Sequence, residues 1–334
     1  MTWSRTDLTG AVAGGRTLEV VCDESGSDGE NLTTGNTDVF AHASVHLSVE
    51  SASGHMREIR SRIRSPAEEY KANHLLREKH RSVLVWFLGT AGPIHGTAHV
   101  HLTEKPFFVV DRVMALLTDE DPAAALALHR QGRTLFGAEP WREFLESSNE
   151  VLRTRRNEET DSPVDAFFRT VDALRGAPAV EPVAGILDLL ARARPRADAH
   201  RARIDDSPEL FPVLDPLIPA IGHTAAYWRR SGLPVTLVHD RQNMLTDERI
   251  ARIEQEARLA GLRLVAARSD PRVLLADFLA GAARKIASDE LGGRGDAELT
   301  TLLRPYVGAS SIWGDERSWA ALSPHTCHSG NRSP

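Results

Sequence analysis

Hydrophobic positions change their period twice along this chain. The first apolar run, Val20-Val21-Cys22, delivers Asp23 and Glu24 into a turn rich in Gly, Ser and Asp (LEVVCDESGSDGENLTTG, 18–35). Residues 39–48 then alternate, with Ala41, Ala43, Val45 and Leu47 on one side and Phe40, His42, Ser44 and His46 on the other. That period of two predicts a strand, paired with the first through the Gly/Asn-rich turn. Residues 53–64 read as a short charged helix. Ser65-Pro66 and Glu68 suit the start of a longer helix running to about 89. Alternation returns over 94–102, and Lys105-Pro106 marks the turn into another helix.

From about 120 to 232 the period becomes helical. AAALALHRQG, PWREFLESSNEVLRTRR, SPVDAFFRTVDALRG and VEPVAGILDLLARARPR are amphipathic segments separated by Pro and Gly, with no strand among them. Strand character resumes at LPVTLVHD (233–240). A charged helix follows, capped by Thr246 and stopped at Gly261. LRLVAARSD is a further strand, and PRVLLADFLAGAARKIASDEL is an apolar helix opened by Pro271. The order predicts an α/β protein whose sheet core is discontinuous, residues 16–119 and 233–322, with a helical insertion over 120–232. A polar, disordered tail is expected over 323–334.

Composition narrows the class. The 334 residues are 41% hydrophobic and 26% charged, as in soluble globular proteins, with a net charge of −6. That balance argues against a basic nucleic-acid coat. Two cysteines, Cys22 and Cys327, make no disulfide framework. The N-terminal stretch lacks a basic start followed by an apolar core, and no apolar run approaches the ~20 residues that cross a bilayer. A cytoplasmic protein without a membrane span is expected.

The chemistry concentrates in acids. Two apolar strands end in carboxylates, VVCDE and VTLVHD, and Asp277 interrupts an apolar helix between Leu274-Leu275-Ala276 and Phe278-Leu279-Ala280-Gly281. Carboxylates at the ends of buried strands are costly unless something holds them. Separated acids converging from strand ends and a closing helix suit hard divalent cations, Mg²⁺ or Mn²⁺, which take oxygen ligands. A two-ion site of that kind serves phosphoryl transfer. The plain alternative makes Asp23 and Glu24 turn residues, Asp240 a cap and Asp277 a solvated side chain.

DESG after the first strand, Glu69-Tyr70-Lys71, Lys105, the strand-final Asp240 and LADFLAG around Asp277 together resemble the domain of unknown function 3800 family. That family looks like the RNase H-like superfamily. The resemblance covers roughly residues 16–322. It implies a mixed five-stranded sheet flanked by helices, an acidic metal site and nuclease activity on DNA or RNA. It implies further that Asp23, Asp240 and Asp277 are metal ligands and Glu69 a helix-borne acid. Lys71 and Lys105 would lie near substrate phosphate or orient carboxylates. Two positions depart from the family pattern: Leu274, where a Gln is usual, and Arg241, where an acid often follows the strand-end Asp. Both raise a second reading, a non-catalytic binding or regulatory module that kept the fold.

Other constellations compete less well. DESGS has the Asp-x-Ser-x-Ser form of the metal-dependent adhesion site in von Willebrand factor A-like domains, but there a helix follows directly, and here an alternating strand does. His99/His101 and His42/His46 share strand faces and could ligate zinc, although a covered polar face gives the same pattern. Alternation sends Cys22 and His239 to the face opposite the acids, and also turns Glu24 away from Asp23. Arginines crowd residues 57–64 and 192–203, where interspersed acids fit solvated helix faces.

Overall fold

A computed structural model describes residues 17–64, 71–118, 122–154, 162–206 and 214–324. Its centre is a five-stranded sheet in the order β3-β2-β1-β4-β5, made of β1 (Leu18–Ser25), β2 (Val39–Val45), β3 (Ala98–Glu104), β4 (Val235–Asp240) and β5 (Gly261–Val265). β1, β2 and β3 run antiparallel to one another in sequence order, while β4 and β5 lie parallel to β1. The mixed sheet flanked by helices is the α/β architecture that the hydrophobic pattern calls for. The segment after β1 turns back into the antiparallel β2, with Ser25 opposite Ala41.

Both sheet faces are covered, so strand alternation separates two cores rather than core from solvent. On one face Val21, Ala41, Ala43, Val45, Val100, Leu102 and Val238 pack under α1 (Val49–Ile63), α3 (Arg81–Leu88) and α12 (Pro271–Leu291). α2 (Ala72–Leu75) and α13 (Ala297–Leu303) close that layer, and α14 (Glu316–Leu322) packs against α12 and α13. On the other face Val20, Cys22, Phe40, Val235 and Leu237 meet α10 (Leu217–Arg229) and α11 (Asp247–Glu256). A third core joins α4 (Lys105–Leu117) to α5 (Pro122–Phe136), α6 (Ala138–Leu152), α7 (Pro163–Arg175), α8 (Val183–Arg192) and α9 (Arg194–Asp206). The helical region thus begins in packing terms at α4, whose Phe108, Val109, Val113 and Met114 belong to it. It ends before α10, which covers the sheet instead.

Three local expectations differ from the structure. The helix expected from 65 to 89 is broken: residues 65–70 lie outside the described residues, α2 is one turn long, and α3 begins only at Arg81, ahead of the apolar run Val83–Leu88. The strand expected from 94 starts at Ala98 and runs on to Glu104. Gly261 does not stop α11, which ends at Glu256 before Arg258 at φ 50°; it is instead the first residue of β5. The expected tail lies outside the described residues from 325 onward, as do residues 1–16. No described helix is long and apolar enough to cross a membrane.

Candidate metal centre

The acids of the two strand ends come together because β1 and β4 are adjacent and parallel. Their last registered pair is Cys22 and His239. One residue further, Asp23 and Asp240 stand side by side on the α12 face, about 5 Å apart between strands. α12 lies across β1 on that face and brings Asp277 to them. The helix is buried nearly all round, from Val273 to Ala287, with Asp277 its partly exposed acid.

Asp277 is held by a contact the sequence gives no hint of. Its Oδ2 accepts the backbone N–H of Ala72, at 2.9 Å, from the first turn of α2. One turn further along α12, Gly281 leaves room for that approach, since a Cβ there would collide with the Cβ of Ala72. Gly281 therefore serves the α2 crossing rather than contact with the sheet. Lys71 caps α2, is exposed, and draws the Asp277 carboxyl back toward the charged form.

Burial and mutual repulsion dominate the electrostatics. The Asp23 carboxyl is pushed well above the usual carboxylate range by burial, then by Glu24, Asp277 and Asp240, with the Glu24 N–H opposing at 2.8 Å from Asp23 Oδ1. Burial and the charges of Asp240, Asp215 and Asp277 push Glu24 up to about 7. Asp277 is raised by burial and by Asp240. Asp215, whose Oδ1 accepts the Leu217 N–H at the start of α10, is raised mainly by burial. Mutual elevation of this kind is what carboxylates sharing one site produce.

Glu24 points to the opposite face, as alternation requires, yet it remains within electrostatic reach of the same cluster. Its Oε2 is buried without a hydrogen-bond partner, and so is His239 Nε2, 3.6 Å away. His239 donates its Nδ1–H to the Asp240 carbonyl at 2.8 Å, and burial lowers its pKa against the opposing pull of Asp240. The neighbouring imidazoles form a covered layer. His42 stacks on His239, His101 on His223 and His99 on Tyr227, all beneath α10. Cys22 is fully buried and burial raises its thiol, so it is no nucleophile.

The donor set fits a hard divalent cation. It is all carboxylate oxygen from Asp23, Asp240 and Asp277, with Glu24 adding negative charge from the opposite face. The fit is one of chemistry and charge rather than of a finished cage. Among the described residues no three His, Cys, Asp or Glu side chains are already gathered as an ion-holding group. Unneutralised carboxylates repel one another, which opposes close gathering before a cation binds.

The remaining expected site residues fall elsewhere. Glu69 lies outside the described residues. Lys105 is fully buried at the start of α4, where its ammonium binds Asp28 and, at 2.7 Å, Thr37 Oγ1. It fastens the β1–β2 turn and is not open to a phosphate. Leu274 packs against the core, and Arg241 is exposed. Glu24 and Asp215 are the additions to the set. Asp215 also borders a cavity of about 520 Å³ that reaches Arg112, Ile218, Arg229 and Ile253. A carboxylate just before a helix-starting proline, Asp215-Pro216, is the signal that could have marked it. No protein-family model matches the chain, and comparison with curated proteins and with solved structures gives no match either.

Proposed function

We propose that the protein is a metal-dependent phosphodiesterase acting on nucleic acid, with Asp23, Asp240 and Asp277 holding Mg²⁺ or Mn²⁺ and Glu24 adding negative charge from the opposite sheet face. The observation that carries the reading is the meeting of acids from three separate parts of the chain at the ends of the interior strands β1 and β4, with Asp23, Glu24 and Asp277 each raised by burial and then by one another or by Asp240. A folded protein keeps such a concentration of buried negative charge when a cation neutralises it. The mixed five-stranded sheet is also what the resemblance to the domain of unknown function 3800 family implies.

Bound Mg²⁺ or Mn²⁺ would supply Lewis acidity toward a phosphoryl oxygen and toward the attacking water. The chain's own residues provide the frame. Ala72 N–H fixes one oxygen of Asp277, leaving the other for the centre. Asp23 and Glu24 near the end of β1 present carboxylates on opposite sheet faces, and exposed Lys71 sets a positive charge beside Asp277. Incubation of the protein with labelled DNA and RNA strands, with Mn²⁺ and with chelator, tests the reading. Cleavage that requires the metal and is lost by at least about 10²-fold in Asp23→Asn and Asp240→Asn supports it. Metal-independent cleavage, or cleavage untouched by both substitutions, contradicts it.

The non-catalytic reading is favoured by one observation, that among the described residues no three donors are preassembled around a point. Its outcome in the same experiment is metal-dependent strand binding without cleavage.

A further inference from the structure

Arg284 stands two turns beyond Asp277 on the same helix, roughly 10 Å along its axis. It is half-buried, and its Nε donates to Ser25 Oγ at 3.0 Å. Ser25 follows Glu24 and shares the α12 face of β1 with Asp23, so helix and strand carry matched pairs: Asp277 over Asp23, then Arg284 over Ser25. The turn is shaped for this arginine. Gly26 has φ +89°, a Cβ there would collide with the Val39 carbonyl, and it would come within 2.8 Å of Arg284 Cδ.

No carboxylate among the described residues pairs with the Arg284 guanidinium, which is held at Ser25. The acid of the turn, Asp28, is taken by Lys105 and Thr37. Arginines elsewhere on the same core are paired, Arg272 with Asp270 and Glu19, and Arg81 with Asp296 and Glu298. A pinned Nε leaves the two terminal nitrogens as a preoriented fork, the geometry that suits a phosphate.

We propose that Arg284 binds a phosphate of the substrate strand next to the one placed at the carboxylates, so that the substrate is a polynucleotide with at least two successive phosphates rather than a phosphomonoester. Ser25 and Gly26 position the guanidinium, which gives the DESG stretch a second task beside presenting acids. The inference rests on the reading of the acidic cluster as a phosphodiester site.

Binding in Ca²⁺, which occupies carboxylate sites without supporting cleavage, separates the two ideas. The probes are a short fluorescein-labelled single strand followed by anisotropy, and thymidine monophosphate followed by calorimetry. Arg284→Gln should weaken the strand about tenfold or more and reduce the salt slope by about 1, while Arg284→Lys recovers part of the affinity. Monophosphate binding and Mn²⁺ binding should stay at wild-type levels in both variants, and their thermal midpoints should match wild type. Unchanged strand affinity in Arg284→Gln overturns the role of Arg284. Equal loss for strand and monophosphate overturns the flanking-phosphate assignment. Failure of the wild type to bind Mn²⁺ overturns the reading beneath both, and failure to bind the strand despite bound metal overturns this proposal alone.

Discussion

Glu24 shows how far a single carboxylate is shaped by its neighbours. Its pKa is raised to about 7, chiefly by burial and by Asp240, so the folded state binds its proton more tightly than the unfolded chain does. The folded form then gains from protonation, and metal-free stability should fall as pH rises from about 4.5 through 7 and level off above. Denaturant titration in chelator at pH 5.5 and pH 8 should show a loss on the order of 1 kcal/mol or more, reduced in Glu24→Gln. A second residue-level test concerns Gly281→Ala, whose new methyl would strike Ala72 and displace the N–H that holds Asp277. We expect about 1–3 kcal/mol of destabilisation together with weaker Mn²⁺ binding. At this scale Asp23, Asp240 and Asp277 were legible because each breaks an apolar pattern. Alternation turns Glu24 away from Asp23, but charge acts across a strand end regardless of face. Lys105 misled for a different reason: nothing local in Lys-Pro at a helix start reveals that Asp28, in a turn far back in the sequence, claims it.

Among the elements, α12 and the strands follow their sequence pattern because burial on every side leaves few alternatives. α2 was not legible, since what fixes it is a contact with Asp277 205 positions away. The imidazole layer was legible in part: His42, His99 and His101 read as a covered polar strand face and are buried, but that α10 is the cover comes from tertiary packing. His42 Nδ1 bonds Thr224 Oγ1 at 2.9 Å, whereas neither ring nitrogen of His101 has a hydrogen-bond partner. Removing a satisfied group strands its partner, while removing an unsatisfied one relieves a desolvation cost. His101→Leu should therefore be near neutral or stabilising, and His42→Leu should cost about 1–3 kcal/mol, as read from urea denaturation midpoints. Equal costs would mean that His101 has a partner of its own.

In the molecule as a whole, the cores on the two sheet faces meet at the charged ends of β1 and β4. The apolar cores hold Asp23, Glu24 and Asp277 where they repel one another, so stability and metal binding are linked. Asp23→Asn removes one buried negative charge, and the metal-free variant should be more stable than wild type at pH 8 by about 1 kcal/mol or more. Mn²⁺ should raise the thermal midpoint of the wild type by several degrees and leave Asp23→Asn nearly unmoved. The most direct test of the centre itself is a calorimetric titration of Mn²⁺ into wild type, Asp23→Asn and Asp277→Asn at pH 8. Saturable binding in the wild type that both substitutions abolish or weaken by at least about tenfold is the expected result. No binding by the folded wild type, or binding that survives both substitutions unchanged, would contradict a metal centre at these acids.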